Sequence, residues 1–227
     1  MERTYIKDIE PGRHKVQGFV ENFRNKRTMA FIVVKDFTGK LQVTVEKEKH
    51  PEMVELLDKL TVHSVVTFEG EVLLNDYVKL GGKEMLPDTM SVESFAEALP
   101  IKDDSDIDVK MDYRWIDLRR DINHLMISLQ TTLTAALREF LLSKNFVEIH
   151  TPKLIAAASE SGSDVFEVKY FDTKAYLAQS PQFYKQMAMA SGLERIFETG
   201  PVFRAEKSYT NKHATEFTGF DLEFSYV

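Results

Sequence analysis

At 227 residues, with a formal net charge of -7 and no cysteine, the chain has room for one or two domains but for neither disulfides nor thiolate metal sites. Its hydrophobic content of 43% is ordinary, no apolar run reaches the length of a membrane span, and residues 1–8 lack the apolar core of a secretory signal. These features point to a soluble protein of cytoplasmic type with no membrane partner. The acidic total argues against nonspecific coating of nucleic acid, yet residues 1–35 hold eight Lys/Arg against four Asp/Glu, enough for a local basic contact.

The first hundred residues read as short strands. Residues 15–23 alternate, Met29–Lys35 is β-branched, residues 36–39 carry turn chemistry, and Leu41–Val45 is a third strand. Helical spacing over 50–60 follows, with Pro51 suited to a first helical position; strands return over 62–72 and 77–92, the latter around a Gly81-Gly82 turn. Three strands, a short helix and two more strands is the order of a five-stranded OB-fold barrel. Such barrels bind single-stranded nucleic acid by stacking bases on exposed aromatics. Phe31 opens a strand and Gln42 follows the turn on the next; for Phe31, core packing is the commoner use of such a residue.

Residues 101–123 begin as an acidic, turn-rich stretch and are read as a linker between domains 1–100 and 124–227. From His124 to Lys144, Leu125, Leu129, Leu133, Leu137 and Leu141 recur every four residues, a long amphipathic helix that needs either its own sheet or a partner subunit. A short strand over 146–149 runs into Thr151-Pro152. The small-residue loop 156–164 holds one acid, Glu160, of buried appearance; residues 165–170 and 174–177 form a hairpin. A helix starts near Ser180-Pro181, with Ser180 expected at the N-cap, and Gln182 and Lys185 share a face of its first turn. An acid in the loop and an amide plus ammonium on the helix suit a zwitterion, although solvated charges are the ordinary use of each.

The C-terminal stretch is the densest in chemistry. An apolar run ending at Val202-Phe203 leads into Arg204 and Glu206, a polar loop carries Lys207, Lys212 and His213, and 217–227 reads as a second strand. Period two sets Phe217, Asp221 and Glu223 on one face and Phe220, Leu222, Phe224 and Tyr226 on the other. A guanidinium suits a phosphate oxygen, a ring face suits a purine, and cations in the loop suit a polyphosphate; on composition alone a surface hairpin with ordinary solvated charges is an equal alternative.

Residues 203–223 resemble motif 2 of the class II aminoacyl-tRNA synthetases, and helix 124–144 with the strand ending at Pro152 resembles motif 1. Tyr170-Phe171, the run Ala175-Tyr-Leu-Ala-Gln-Ser-Pro-Gln-Phe-Tyr-Lys-Gln186 and the run Gly200-Pro-Val-Phe-Arg-Ala-Glu206 are similar to aspartyl-tRNA synthetases of the archaeal and eukaryotic kind. The resemblance covers nearly the whole chain. It implies an all-β OB-fold barrel followed by an incomplete α+β class II synthetase domain built on an antiparallel sheet.

The activity it implies is aspartate–tRNA ligation, on aspartate tRNA alone or on both aspartate and asparagine tRNAs. By resemblance Arg204 grips the α-phosphate of ATP and the carboxylate of L-aspartate, Glu206 and Phe217 hold adenine, and Lys212 and His213 meet the outer phosphates. Glu160, Gln182 and Lys185 hold the amino acid; Phe31, Gln42 and Glu84 read the tRNA anticodon; Pro152 belongs to a homodimer interface. A cation at 185 favours aspartate over asparagine, because an unpaired ammonium facing a neutral amide is costly to bury.

Three departures from the family pattern stand out. The Glu-Gly-Gly loop reads Glu160-Ser161-Gly162, Lys212 stands for the usual Arg, and the chain stops at Val227 without motif 3 or the acidic Mg²⁺ ligands. The 227 residues alone are therefore expected to be inactive. A tRNA-binding OB module without catalysis and an asparaginyl-type enzyme are the competing readings.

Overall fold

The computed structural model describes residues 1–158, 165–206 and 213–226. It divides into two compact units, Met1–His124 and Leu125–Val227.

In the first unit β1 (Gly12–Asn25), β2 (Met29–Lys35), β3 (Lys40–Glu46), β4 (Val65–Leu74) and β5 (Lys83–Ser94) close into a barrel in the order β1-β2-β3-β5-β4. The alternation in the sequence is what closes it. Val16 and Val20 on β1, Ala30, Ile32 and Val34 on β2, and Val43 and Val45 on β3 all point inward and are fully buried, with Phe68, Val72 and Met85 opposite. The short helix α1 (Val54–Lys59), preceded by one 3-10 turn, adds Met53 and Leu57 to that core.

Strand crossing brings backbones too close for a side chain at two places. A Cβ at Gly18 would lie 2.3 Å from the Lys35 carbonyl oxygen, and one at Gly70 would lie 2.2 Å from that of Leu86. β1 also carries a bulge between Val20 and Asn22, which bends it around the barrel.

The strand expected at 62–72 begins at Val65, because Thr61–Ser64 is a turn with His63 at φ 72. That expected at 77–92 begins at Lys83. Residues 75–82 form a compact turn, closed by Asn75 N–H to the Gly82 carbonyl (2.8 Å), with Gly81 and Gly82 at φ 71 and 66.

The acidic stretch after residue 100 contains two short helices, α2 (Ile107–Asp112) and α3 (Arg114–Asp117). Asp117, at 3% exposure, is their anchor: it accepts hydrogen bonds from Arg114, Arg120 (3.3 Å) and Asn123 (2.9 Å). Asp121 begins the long helix α4 (Asp121–Ser143) and is held by Lys35 and by Lys40 at 2.7 Å; both lysines also reach Glu21.

In the second unit β6 (Val147–Glu148) lies parallel to β10 (Arg195–Phe203), and β10 pairs antiparallel with β11 (Glu216–Phe224). The sheet is built on the antiparallel β10–β11 pair, as expected, with the two-residue β6 as a parallel neighbour. A second sheet joins β7 (Leu154–Ile155), β9 (Thr173–Leu177) and β8 (Glu167–Tyr170), and α5 (Gln182–Ala190) packs on β10 and β11. β11 ends at Phe224, so Tyr226 does not continue its apolar face; it is 87% exposed at φ 59. Arg138 on α4 clamps Glu148 on β6 through two bonds of 2.9 and 2.8 Å. The leucine repeat of α4 is not covered: Leu125, Leu129 and Leu133 are each more than half exposed, and Leu141 alone on this helix is buried.

Candidate nucleic-acid interface and candidate active site

Outward positions on β2, β3 and β5 bring Phe31, Gln42 and Glu84 onto one surface of the barrel. Phe31 lies outside the buried core, and its ring is flanked by cations, with Arg24 Cζ at 5.5 Å and Lys26 Nζ at 5.7 Å from its centre. The core role that pattern favours for a strand phenylalanine is taken by Ala30 and Ile32 on either side. Gln42 and Glu84 are partners in the parallel β3–β5 register. The Glu84 carboxylate accepts from Thr44 Oγ1 at 2.7 Å, from Asn75 Nδ2, and from Gln42 Nε2 at 3.5 Å.

Arg24, Lys26, Thr44 and Asn75 therefore belong to this surface, although nothing local in the sequence singled them out. For Arg24 the usable signal is alternation from Val20, interrupted by the bulge at Glu21. For Asn75 there is none, since its contact with Glu84 depends on how the 75–82 turn closes. Such a surface offers a ring for stacking, cations for phosphate, and a fixed carboxylate with amides for base edges.

In the second unit, the hairpin β10–β11 carries the other constellation. Phe203 pairs with Glu216 and Val202 with Phe217, and Arg204 N–H extends the ladder to the Thr215 carbonyl at 2.9 Å. Arg204 Cζ sits 5.7 Å from the centre of the Phe217 ring, and His213 Nε2 lies 3.9 Å from Glu206 Oε2. Guanidinium, ring and carboxylate thus occupy one end of the hairpin. Glu160, Lys207 and Lys212 lie outside the described residues.

At the other end Lys185, on α5, donates to Asp221 Oδ1 at 2.8 Å and approaches Glu223 Oε2 at 3.2 Å. Burial pulls its ammonium toward neutrality, but the two carboxylates outweigh that effect and its pKa is raised above the ordinary lysine value. Lys185 is consequently not the bare cation that its helix position suggests. The period-two split of β11 put Asp221 and Glu223 on the polar face; their pairing with a residue 36 positions earlier leaves no local trace. Gln182 is half-buried one helical turn before Lys185. The helix begins at Gln182 with Pro181 in the N-cap position, one residue later than expected, and Ser180 Oγ receives only a long bond from Gln182 N–H, 3.4 Å.

The opposite face of β11 is apolar as expected: Phe220 stacks on Phe197 at 5.9 Å and Phe224 meets Phe146 edge-on at 6.0 Å. Within the hairpin, buried Glu198 on β10 accepts from Thr151 N–H (2.8 Å), Thr151 Oγ1 (2.7 Å) and Lys153 Nζ (3.0 Å). That carboxylate ties β10 to the segment on both sides of exposed Pro152. Among the described residues no cluster of three or more His, Asp or Glu is arranged to hold a metal ion.

Residues 14–92 match the model of the OB-fold nucleic acid binding domain, and residues 106–227 match that of the class II tRNA synthetases (D, K and N). The chain is 41% identical over 99% of its length to the aspartate–tRNA(Asp/Asn) ligase of Methanopyrus kandleri, and 42% identical over 99% to the aspartate–tRNA(Asp) ligase of Picrophilus torridus. It spans about half the length of these relatives, 54% in each case. Among solved structures, asparaginyl-tRNA synthetase from Pyrococcus horikoshii complexed with asparaginyl-adenylate superposes with a TM-score of 0.94 at 32% identity, over 100% of this chain and 54% of that one. A barrel of OB type and a hairpin carrying Arg204, Glu206 and Phe217, in a chain matched over more than half its length by the synthetase model, lead to one conclusion: this chain belongs to the class II tRNA synthetases of the D, K and N group.

Proposed function

We propose that the protein to which these residues belong is an aspartate–tRNA ligase: it activates L-aspartate with ATP as aspartyl-adenylate and transfers it to the 3′ end of tRNA, with acceptance of both aspartate and asparagine tRNAs within its range. The observation that carries this reading is the hairpin with a separate group at each end. Phe217 and Asp221 are four residues apart on one strand, about 13 Å. That separation suits an adenine held at the Arg204 end and an amino acid held at the Lys185 end.

At the first end, the Phe217 face is suited to stacking on adenine and the Glu206 carboxylate to accepting from its amino group. The Arg204 guanidinium has donors for both an α-phosphate oxygen and the substrate carboxylate, and it would stabilise the charge that builds on phosphorus as that carboxylate attacks. Lys212 and His213 are assigned to the outer phosphates, Glu160 to the substrate ammonium and Gln182 to its polar groups. Lys185 has three N–H donors. Asp221 and Glu223 take two, and the third is suited to the aspartate side-chain carboxylate. Class II synthetases work with Mg²⁺, but the described residues do not form a site that fits it, so no step here runs through the metal.

On the barrel, Phe31, Gln42 and Glu84 are assigned to the anticodon. The exposed leucine stripe of α4 and exposed Pro152 support a homodimer through this region. An asparaginyl enzyme is the second reading, supported by the likeness to the Pyrococcus horikoshii structure. The deciding experiment is ATP–pyrophosphate exchange by the full-length protein with aspartate and with asparagine in turn. Exchange with aspartate alone is expected; exchange driven by asparagine alone would overturn the assignment.

A further inference from the structure

Beside Phe31 lie two adjoining cavities of about 490 and 440 Å³. Both are bordered by Arg24, Phe31, Gln42 and Tyr77, so the Phe31 ring stands at their common wall. Their other walls differ in chemistry. The smaller continues to the Glu84 carboxylate and Asn75 amide, whereas the larger continues to the Asn22 amide and the Lys79 ammonium.

Tyr77 is the unexplained element. The residue is 96% exposed, yet it stands on a closely hydrogen-bonded turn. Its backbone N–H donates to Asn75 Oδ1 at 3.0 Å, Asn75 Nδ2 donates to Glu84, and buried Val78 closes the turn through Asn75 (2.9 Å) and Gly82 (3.1 Å). The backbone beneath the ring is therefore fixed by the same carboxylate that faces the smaller cavity. An aromatic side chain presented to water from a fixed backbone beside cations is an arrangement that can stack an unpaired base, and the β4–β5 loop is one of the two loops through which OB barrels take oligonucleotides.

We propose that Tyr77 is a second base-stacking residue, so that the surface holds two successive unstacked nucleotides of single-stranded RNA. One base stacks on Phe31 with its edge toward Gln42 and Glu84. The next stacks on Tyr77 in the compartment of Asn22 and Lys79, where the ammonium lies in reach of the linking phosphate. The proposal rests on the assignment of this face to the tRNA anticodon and extends it to a residue on the loop.

The test is fluorescence anisotropy at one fixed salt concentration, titrating the purified chain into a labelled RNA hairpin whose seven-nucleotide loop carries the anticodon GUC. Wild type, Tyr77→Ala, Tyr77→Phe and Phe31→Ala are compared. Tyr77→Ala is expected to weaken binding about 5- to 160-fold, the range for loss of one stacked base, while Tyr77→Phe stays within about twofold of wild type. The slope of affinity against salt should not change in Tyr77→Ala, because no charge is removed. The melting temperature should not change either, since the ring buries nothing.

If Tyr77→Ala binds within twofold of wild type while Phe31→Ala loses affinity, the anticodon face stands and the Tyr77 proposal falls. If Tyr77→Phe loses as much as Tyr77→Ala, the hydroxyl and not the ring is responsible, and stacking is overturned. If wild type does not bind the hairpin, both the anticodon assignment and its extension are overturned.

Discussion

Lys185 Nζ and Asp221 Oδ1 are 2.8 Å apart although 36 residues separate them, and Glu223 approaches the same ammonium from two positions further along β11. The three side chains together carry one net negative charge. A substrate carboxylate can join them only through the donor that remains on the ammonium, so the cluster is sensitive to loss of any member.

Replacing Lys185 by Leu leaves Asp221 and Glu223 facing each other without a cation. On the proposed assignment of Lys185 to the substrate carboxylate, loss of that charge-assisted hydrogen bond corresponds to about 1.5–3 kcal/mol, or roughly 10- to 160-fold. In the full-length protein, aspartate-dependent pyrophosphate exchange should fall by that factor while the KM for ATP stays within about twofold. An unchanged KM for aspartate would remove Lys185 from the amino-acid site. The stability cost should stay within about 1 kcal/mol, because both carboxylates remain a third exposed to water.

Asp121 is a charge anchor on the barrel unit, held by Lys35 and Lys40. Hydrogen bonds from Lys35 and then Lys40 lower its pKa from 3.8 to about 2. A carboxylate depressed on folding stabilises above its unfolded pKa, and that stabilisation is lost as pH falls from 3.8 toward about 2. Its side chain is 62% exposed, so after allowance for solvent screening the effect is about 1 kcal/mol. Asp121→Asn should remove it at pH 7 and flatten the acid limb of the stability profile, measured by urea unfolding between pH 2 and 7. Equal pH dependence in variant and wild type would refute the anchor.

Glu198 accepts three hydrogen bonds at 4% exposure, and two of its donors, Thr151 N–H and Lys153 Nζ, cannot be satisfied by an alanine. Glu198→Ala should cost about 3 kcal/mol in unfolding free energy, and Glu198→Gln less, because an amide oxygen still accepts. Chemical denaturation of the chain measures both. A loss under about 1 kcal/mol in the alanine variant would mean that the segment around Pro152 relaxes onto water.

Gly70→Ala places a Cβ 2.2 Å from the Leu86 carbonyl oxygen and 2.5 Å from Pro87 Cα. Both neighbours are backbone in the β4–β5 ladder and cannot rotate away. Thermal unfolding should show a loss of about 3 kcal/mol with the barrel strands still formed by circular dichroism. An alanine variant as stable as wild type would mean that β4 and β5 separate at this point without cost.

What the sequence determined by itself follows from local rules. Alternation of Val16, Val20, Ile32, Val34, Val43 and Val45 is enough to specify strands with one buried face, and the order of those strands with α1 is enough to specify an OB barrel. The same period-two logic separated Asp221 and Glu223 from Phe220 and Phe224 on β11, and residue types made Arg204, Glu206 and Phe217 a candidate set for phosphate and purine. Tertiary structure decided the partners. That Lys185 meets two carboxylates, that Glu198 clasps Thr151 and Lys153, and that the 75–82 turn ties Asn75 to Glu84 and sets Tyr77 beside Phe31 all depend on where separate elements come to lie. Side-chain pairing across long loops has no period in the sequence. It is selected only when packing of the barrel and of the hairpin brings the elements within the 3 Å or so that a hydrogen bond allows.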